Sequence, residues 1–153
     1  MATYSLDLVA DTLIHLARER KLKDLTNLKL QKLLYYAQAW NLAFNDERLF
    51  AEDIEAWVHG PVVPKVFRRF KALGWKTIEI KVNPFHGPYI GPHLKMILIA
   101  YGDLGATQLE RLTHNEDPWK IARNGIPPDV PSHNVISPKS MKVFYKARIR
   151  DSR

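Results

Sequence analysis

Two short segments contain the residue types most able to carry out proton or metal chemistry. Histidine titrates nearest to neutral pH and is a common metal ligand, and the chain has six. Residues 114–117 read His-Asn-Glu-Asp, which could supply a metal ligand and a general base. His59 precedes Gly60-Pro61 and could be a catalytic loop residue. We favour structural roles for both. Residues 114–117 would end one helix and begin the next, and His59 would stabilise a tight turn.

The motifs of familiar enzyme classes are missing from the sequence. No pair of histidines has the HExxH spacing that places two metal ligands on one helical face. The seven glycines are scattered singly, so no glycine-rich phosphate loop is present. The absence of cysteine excludes disulfides, thiolate ligands and cysteine nucleophiles. We therefore predict no enzymatic activity, no cofactor and no bound metal; a site of scattered groups near His59 and His114 is the enzymatic alternative.

Positive charge is concentrated in two segments of a chain whose formal net charge is +7. Residues 139–153 hold six Lys or Arg and one acid, and residues 65–76 hold five Lys or Arg and no acid. Such clusters can attract an acidic protein surface or a phosphate backbone, and they can also be plain solvated surface. The solvated interpretation is favoured for each cluster taken alone. Four tryptophans could stack on nucleotides, but their apolar neighbours favour core positions.

Length and composition predict one cytoplasmic domain covering residues 1–153. A chain of 153 residues with 46% hydrophobic residues is long enough to bury a substantial core. No apolar run approaches the roughly 20 residues that span a bilayer. The first residues lack the basic and apolar regions of a secretory signal, and the lack of cysteine fits a reducing compartment.

Hydrophobic periodicity and capping residues predict the helices. A first helix is expected over 4–20, with Ser5 as its cap, and a second over about 27–44, with Thr26 or Asn27 as its cap. Further helices are expected after Pro64, over 93–101, over 107–113, from Pro118 to Arg123 with Asp117 as its cap, and after Pro138. The apolar stripe of the second helix comprises Leu30, Leu33, Leu34, Ala37, Asn41 and Phe44.

Strand signals are fewer and shorter. Residues 77–82 alternate cleanly between polar and apolar and are the best strand candidate. Residues 54–58 form a second candidate, which Gly60-Pro61 is expected to break. The predicted fold class is therefore mainly α (α+β): a compact single domain of about six to seven helices with a small sheet of two or three short strands.

Three segments resemble the motifs of one known family, the Panacea domain of SocA-like antitoxins. The first is 26–38 (TNLKLQKLLYYAQ), the second is 54–64 (IEAWVHGPVVP), and the third is 112–123 (LTHNEDPWKIAR). The ending, with Ile136 and a helix through Phe144-Tyr145, is also similar. The segments occur in order at ordinary spacing and cover nearly the whole chain, which makes the resemblance far more specific than a single motif.

The resemblance implies an antitoxin of a bacterial or phage toxin–antitoxin pair. Members of the family bind and block a toxin encoded by the adjacent gene, and at least one branch delivers its toxin to a cellular protease. Some relatives carry an extra DNA-binding domain, for which these 153 residues leave no room. The expected partner is thus a protein toxin. Two alternatives remain: a nucleic-acid-binding or regulatory protein using the two basic segments, and a proteolytic adaptor that delivers the toxin to a cellular protease. No membrane partner is expected.

The resemblance also assigns motif residues, which we expect to hold the fold together. These residues are Asn27, Lys29, Leu30, Gln31, Lys32, Leu33, Trp57, His59, Gly60, Pro61, His114, Glu116, Trp119 and Arg123. Partner contacts are expected instead from exposed basic residues. The candidates are Lys139, Lys142, Lys146, Arg68 and Arg69.

Overall fold

The computed structural model describes residues 3–151, which form seven α-helices, one 3-10 turn and three short strands. In chain order they are α1 (Leu6–Glu19), α2 (Asn27–Asn45), β1 (Ile54–Trp57), β2 (Gly60–Val62), α3 (Pro64–Phe70), the 3-10 turn (Lys71–Leu73), α4 (Ile90–Tyr101), α5 (Ala106–His114), α6 (Asp117–Arg123), β3 (Val135–Ile136) and α7 (Pro138–Asp151). This architecture confirms the predicted class, a compact mainly helical domain with a small sheet.

Helix α2 occupies the centre of the fold. It packs against α1, α3, α4, α5, α7 and β2. Residues 29–39 are all buried, so the helix has no solvent face over most of its length. Thr26 caps it as predicted, because its hydroxyl accepts a hydrogen bond from the Lys29 amide at 3.3 Å. A helix enclosed in this way must satisfy its polar side chains internally.

The three strands form one antiparallel sheet in the order β2-β1-β3. Gly60-Pro61 was expected to break the strand, but it begins β2, with Gly60 opposite Trp57. Gly60 has φ +104°, which disfavours a side chain. A Cβ at this position would lie 2.6 Å from Cε of Lys32. The glycine therefore allows a tight hairpin that lies directly against α2.

The strand predicted over 77–82 does not form. Only Thr77 makes a bridge, to Thr26, and residues 78–82 belong to no strand. The Ile78 amide donates to the Leu25 carbonyl at 2.8 Å, while the Arg18 side chain donates to the carbonyls of Ile78 and Ile80. A guanidinium takes the place of a neighbouring strand, which alternation in the sequence cannot reveal.

Most helix ends agree with their sequence signals. The Ser5 hydroxyl accepts from the Leu8 amide at 3.1 Å at the start of α1, and the Ser137 hydroxyl accepts from the Ser140 amide at 3.0 Å at the start of α7. Helix α4 begins at Ile90, three residues before the predicted start. Helix α6 has Glu116 rather than Asp117 as its cap residue, because Glu116 is the residue with extended backbone angles.

Candidate partner-binding surface

The buried lysines of α2 bind carbonyl oxygens of other segments. Nζ of Lys29 donates to the Gly102 carbonyl at 2.7 Å and to the Asp24 carboxylate at 2.8 Å. Nζ of Lys32 donates to the Pro61 carbonyl at 3.1 Å. Both side chains have no solvent exposure. These contacts attach the end of α4 and the β1–β2 hairpin to the central helix.

Two amide side chains of α2 attach α3 to the central helix through hydrogen bonds to its backbone. Nε2 of Gln31 donates to Oδ1 of Asn27 at 2.9 Å, and its Oε1 accepts from the Val63 amide at 2.9 Å. Nδ2 of Asn27 donates to the Phe67 carbonyl at 3.0 Å. The first motif therefore uses its polar side chains to position neighbouring backbone, and Leu30 and Leu33 are fully buried between them.

Glu116 lies beneath α7 and connects three helices. Its Oε1 accepts hydrogen bonds from the hydroxyls of Tyr36 and Tyr145, each at 2.9 Å. Arg148 lies 3.7 Å from its Oε2. Burial raises the pKa of Glu116 above its usual value, while the two tyrosine hydrogen bonds act in the opposite direction. The carboxyl group links α6 to α2 and α7.

Arg123 and Trp119 fasten the proline-rich connector that follows α6. The buried Arg123 guanidinium donates to the carbonyls of Ala56, at 3.1 Å, and of Pro127 and Val130. It also lies over the Trp119 ring, 4.7 Å from the centroid. The Trp119 indole donates to the Trp57 carbonyl at 2.9 Å, which ties α6 to β1.

His59 and His114 differ in their surroundings. Nδ1 of His59 lies 3.0 Å from Oε1 of Glu110, and its side chain is mostly exposed. The His114 ring stacks on Trp119 with centroids 4.0 Å apart, and burial lowers the pKa of His114. Among residues 3–151, no group of three or more His, Asp or Glu could hold a metal ion.

A small apolar cavity of about 190 Å³ lies beside the hairpin. It is lined by Leu28, Trp57, Val58, His59, Val62, Phe67, Pro131, Ser132 and His133. The Trp57 indole donates to Glu55 at 2.8 Å, and Nδ1 of His133 lies 3.2 Å from the same carboxylate. The polar groups at its edge therefore already bind one another.

Two lysines of α7 are engaged within the molecule. Nζ of Lys142 and Nζ of Lys146 lie 2.8 and 2.7 Å from Oδ1 of Asp46, the left-handed residue that ends α2. Their hydrogen bonds lower the pKa of Asp46 to about 2. Lys139 is exposed and makes no ion pair with any residue between 3 and 151. Of the three candidate lysines of α7, one is therefore unpaired among the described residues and two clamp α7 to α2.

The candidates on α3 also differ from each other. Nη2 of Arg69 lies 2.7 Å from Oδ1 of Asp11, and Nη1 lies 3.5 Å from Asp7, so this residue joins α3 to α1. Arg68 is exposed and has no ion-pair partner within the described part of the chain. Of the two arginines, Arg68 is the one available to a partner.

Sequence reasoning placed Phe44 in the buried stripe of α2, which is wrong. Its side chain is 47% exposed, although Leu42 and Ala43 of the same turn are buried, and its ring stacks on Trp40 with centroids 5.5 Å apart. Phe44 and Ala43 form one wall of a groove of about 530 Å³ whose other side is α7. Helical periodicity could not have found this site, since it assigns every apolar residue on one face to the core.

The described residues define a mainly helical domain whose conspicuous polar residues stabilise the fold and whose basic groups reach the surface. The sequence model described as "Antitoxin SocA-like, Panacea domain" matches residues 30–93. Antitoxin SocA of Caulobacter vibrioides (strain NA1000 / CB15N) is 34% identical over 115 residues, which cover 66% of this chain and 61% of that protein. Both matches confirm that the chain is similar to the Panacea-domain, SocA-like antitoxin family.

The chain thus spans less than two thirds of the length of this curated relative. No solved structure matches the chain. Within residues 3–151, no helix has the length and apolar character needed to cross a membrane.

Proposed function

We propose that this protein is an antitoxin that binds and neutralises a cognate protein toxin encoded by the adjacent gene. The observation that carries the proposal is the 34% identity to Antitoxin SocA over 115 residues. The geometry agrees with a binding role. Polar motif side chains such as Lys29, Gln31 and Lys32 form hydrogen bonds to backbone groups inside the fold. A partner would therefore contact other, exposed residues.

The proposed contact surface is the basic face of α7, with Arg68 of α3 as a second point of attraction. Lys139 is exposed and unpaired among the described residues, and Lys142 and Lys146 share a single carboxylate. Positive charge therefore remains after the internal pairs are counted. A toxin with an acidic face would be drawn to this surface and oriented by it.

Nucleic-acid binding is the second candidate, because the same charge distribution favours it. Residues 139–153 hold six Lys or Arg and one acid. A phosphate backbone would be attracted as strongly as an acidic protein, and both interactions weaken as salt increases. Co-purification with a protein partner at high salt, without nucleic acid, distinguishes the two.

The test is co-expression with the reading frame adjacent to the gene. Expressed alone, the product of that frame should stop growth; expressed with this protein, growth should return and the two proteins should co-purify. Lys95→Glu on α4 is a suitable control variant, because Lys95 is exposed on a helix outside the proposed surface and should leave rescue intact. An adjacent product that is harmless, or a toxic one that this protein neither rescues nor binds, would contradict the proposal.

A further inference from the structure

The groove between the last turn of α2 and α7 combines exposed apolar groups with a basic edge. It is lined by Ala43, Phe44, Val143, Lys146, Ile149 and Arg150 and encloses about 530 Å³. Phe44 is 47% exposed and Val143 is 59% exposed. Large apolar side chains that share one concave surface are typical of a protein-binding site.

Its two walls are held in fixed positions by the clamp at the end of α2. Asp46 ends that helix, and its carboxylate binds the amines of Lys142 and Lys146 from α7 at 2.8 and 2.7 Å. Below the groove, the Trp40 ring packs on Tyr145 with centroids 4.9 Å apart. A preformed surface of this kind loses little conformational freedom when a partner binds.

The charges around the groove select the partner. Its lining contains Lys146 and Arg150 and no acidic residue. Asp46 offsets only one of the two lysines that it binds, so the edge retains positive charge. The complementary ligand has apolar side chains flanked by Asp or Glu.

The opposite side of α7 offers a useful contrast. Val143 also borders a second, shallow groove with Phe144, Ala147 and Arg148, but that groove includes the carboxylates of Asp117 and Asp151. Acidic groups there would repel an acidic partner. Of these two grooves, the α2–α7 groove is therefore the one whose charge favours an acidic partner.

We propose that the α2–α7 groove is the docking site for an acidic, amphipathic segment of a protein partner. Its apolar side chains lie against Phe44 and Val143, and its carboxylates meet Lys146 and Arg150. This inference rests on the proposed function in identifying the partner as the toxin, but the groove can be tested without the toxin. It also explains why Phe44, in the last turn of α2, is partly exposed.

The direct test uses two synthetic amphipathic peptides with the same apolar pattern, one of leucine and glutamate and one of leucine and lysine, with duplex DNA as a third probe. Binding is followed through the backbone amide NMR signals of the labelled full chain. The glutamate peptide should shift the signals of Phe44, Val143 and Ile149, and the lysine peptide should not. Val143→Asp should weaken this binding about tenfold, because it removes an apolar contact and adds a repelling carboxylate.

Ile99→Asp is the matched control, since Ile99 is a β-branched residue 68% exposed on α4. It should bind the glutamate peptide like the unaltered chain. Equal binding by Val143→Asp, shifts located elsewhere, or preference for the lysine peptide would each overturn the inference. DNA that shifts the groove signals while the glutamate peptide does not would assign the surface to nucleic acid instead.

Growth rescue separates this inference from the proposed function. With a toxic adjacent product, Ile99→Asp should rescue growth and Val143→Asp should not. Rescue by both variants would place the toxin contact elsewhere and leave the antitoxin function standing. Failure of the unaltered protein to rescue would count against the antitoxin function, while the peptide experiment would still decide the groove.

Discussion

Lys32 is a fully buried cation whose only hydrogen-bond acceptor among the described residues is the Pro61 carbonyl, 3.1 Å away. Burial lowers the pKa of Lys32 to about 7, against a weaker opposing effect of Glu110. The amine is buried because Gly60 lets the hairpin backbone pass directly over it. One glycine and one lysine thus fix the distance between α2 and the sheet, at a cost in desolvation.

We expect Lys32→Met to change how stability depends on pH. The folded pKa of about 7 lies below the ordinary 10.5, so between these values the unfolded chain binds a proton that the folded chain does not. The free energy of unfolding should therefore rise by about 5 kcal/mol as pH increases through this window. Lys32→Met should remove that rise and be the more stable protein near pH 7, apart from about 1 kcal/mol for the lost hydrogen bond.

Urea denaturation across that pH window measures the effect. Lys139→Met is the control, because Lys139 is exposed. Its free energy of unfolding should depend on pH in the same way as that of the unaltered chain. Parallel pH profiles for the unaltered chain and Lys32→Met would show that the ammonium is not penalised by burial.

At the scale of elements, local signals were sufficient wherever a segment determines its own structure. The caps Ser5 and Thr26 and the prolines at 64 and 138 mark real helix starts. Segment 77–82 shows the limit, because its alternation is real but its carbonyls bind the Arg18 side chain instead of a strand. A pairing partner sixty residues away leaves no trace in local periodicity.

The candidate site was predictable in composition and not in arrangement. The basic residues of α7 were visible in the sequence, but their pairing with Asp46 depends on where α2 ends relative to α7. The exposure of Phe44 depends on the same packing. The buried polar residues of α2 were flagged through motif resemblance alone, since helical periodicity assigns Lys29 and Lys32 to solvent.

We expect Leu33→Ala to destabilise the fold through the central helix. Leu33 is fully buried in α2, so its truncation removes apolar burial and leaves a cavity costing about 2–5 kcal/mol. Chemical denaturation monitored by circular dichroism measures the loss, which is large against a typical total of about 5–15 kcal/mol. Ile99→Ala on α4, where the side chain is 68% exposed, should change stability by no more than about 0.5 kcal/mol. A loss below roughly 1 kcal/mol at Leu33 would mean that α2 is not the centre of the core.

At the scale of the whole molecule, a net charge of +7 matters through its placement. Arg69 is paired with Asp11, and Lys142 and Lys146 are paired with Asp46. These cations therefore hold elements of the fold together. Replacing both α7 lysines with glutamate would set three carboxylates against one another and loosen α7. The exposed, unpaired Lys139 and Arg68 are therefore the residues through which long-range attraction can be altered without disturbing a clamp.

We expect the double variant Lys139→Glu and Arg68→Glu to slow association with a toxic adjacent product by about tenfold at low salt, because it reverses charge where steering is proposed. Its stability should change by under about 0.5 kcal/mol, since both residues are exposed. The control, Lys95→Glu with Lys120→Glu, makes the same change in net charge on α4 and α6. Stopped-flow association rates at several salt concentrations measure both variants. Equal slowing of the two would show that the partner responds to total charge alone, and no slowing of either would remove electrostatic steering from the binding mechanism.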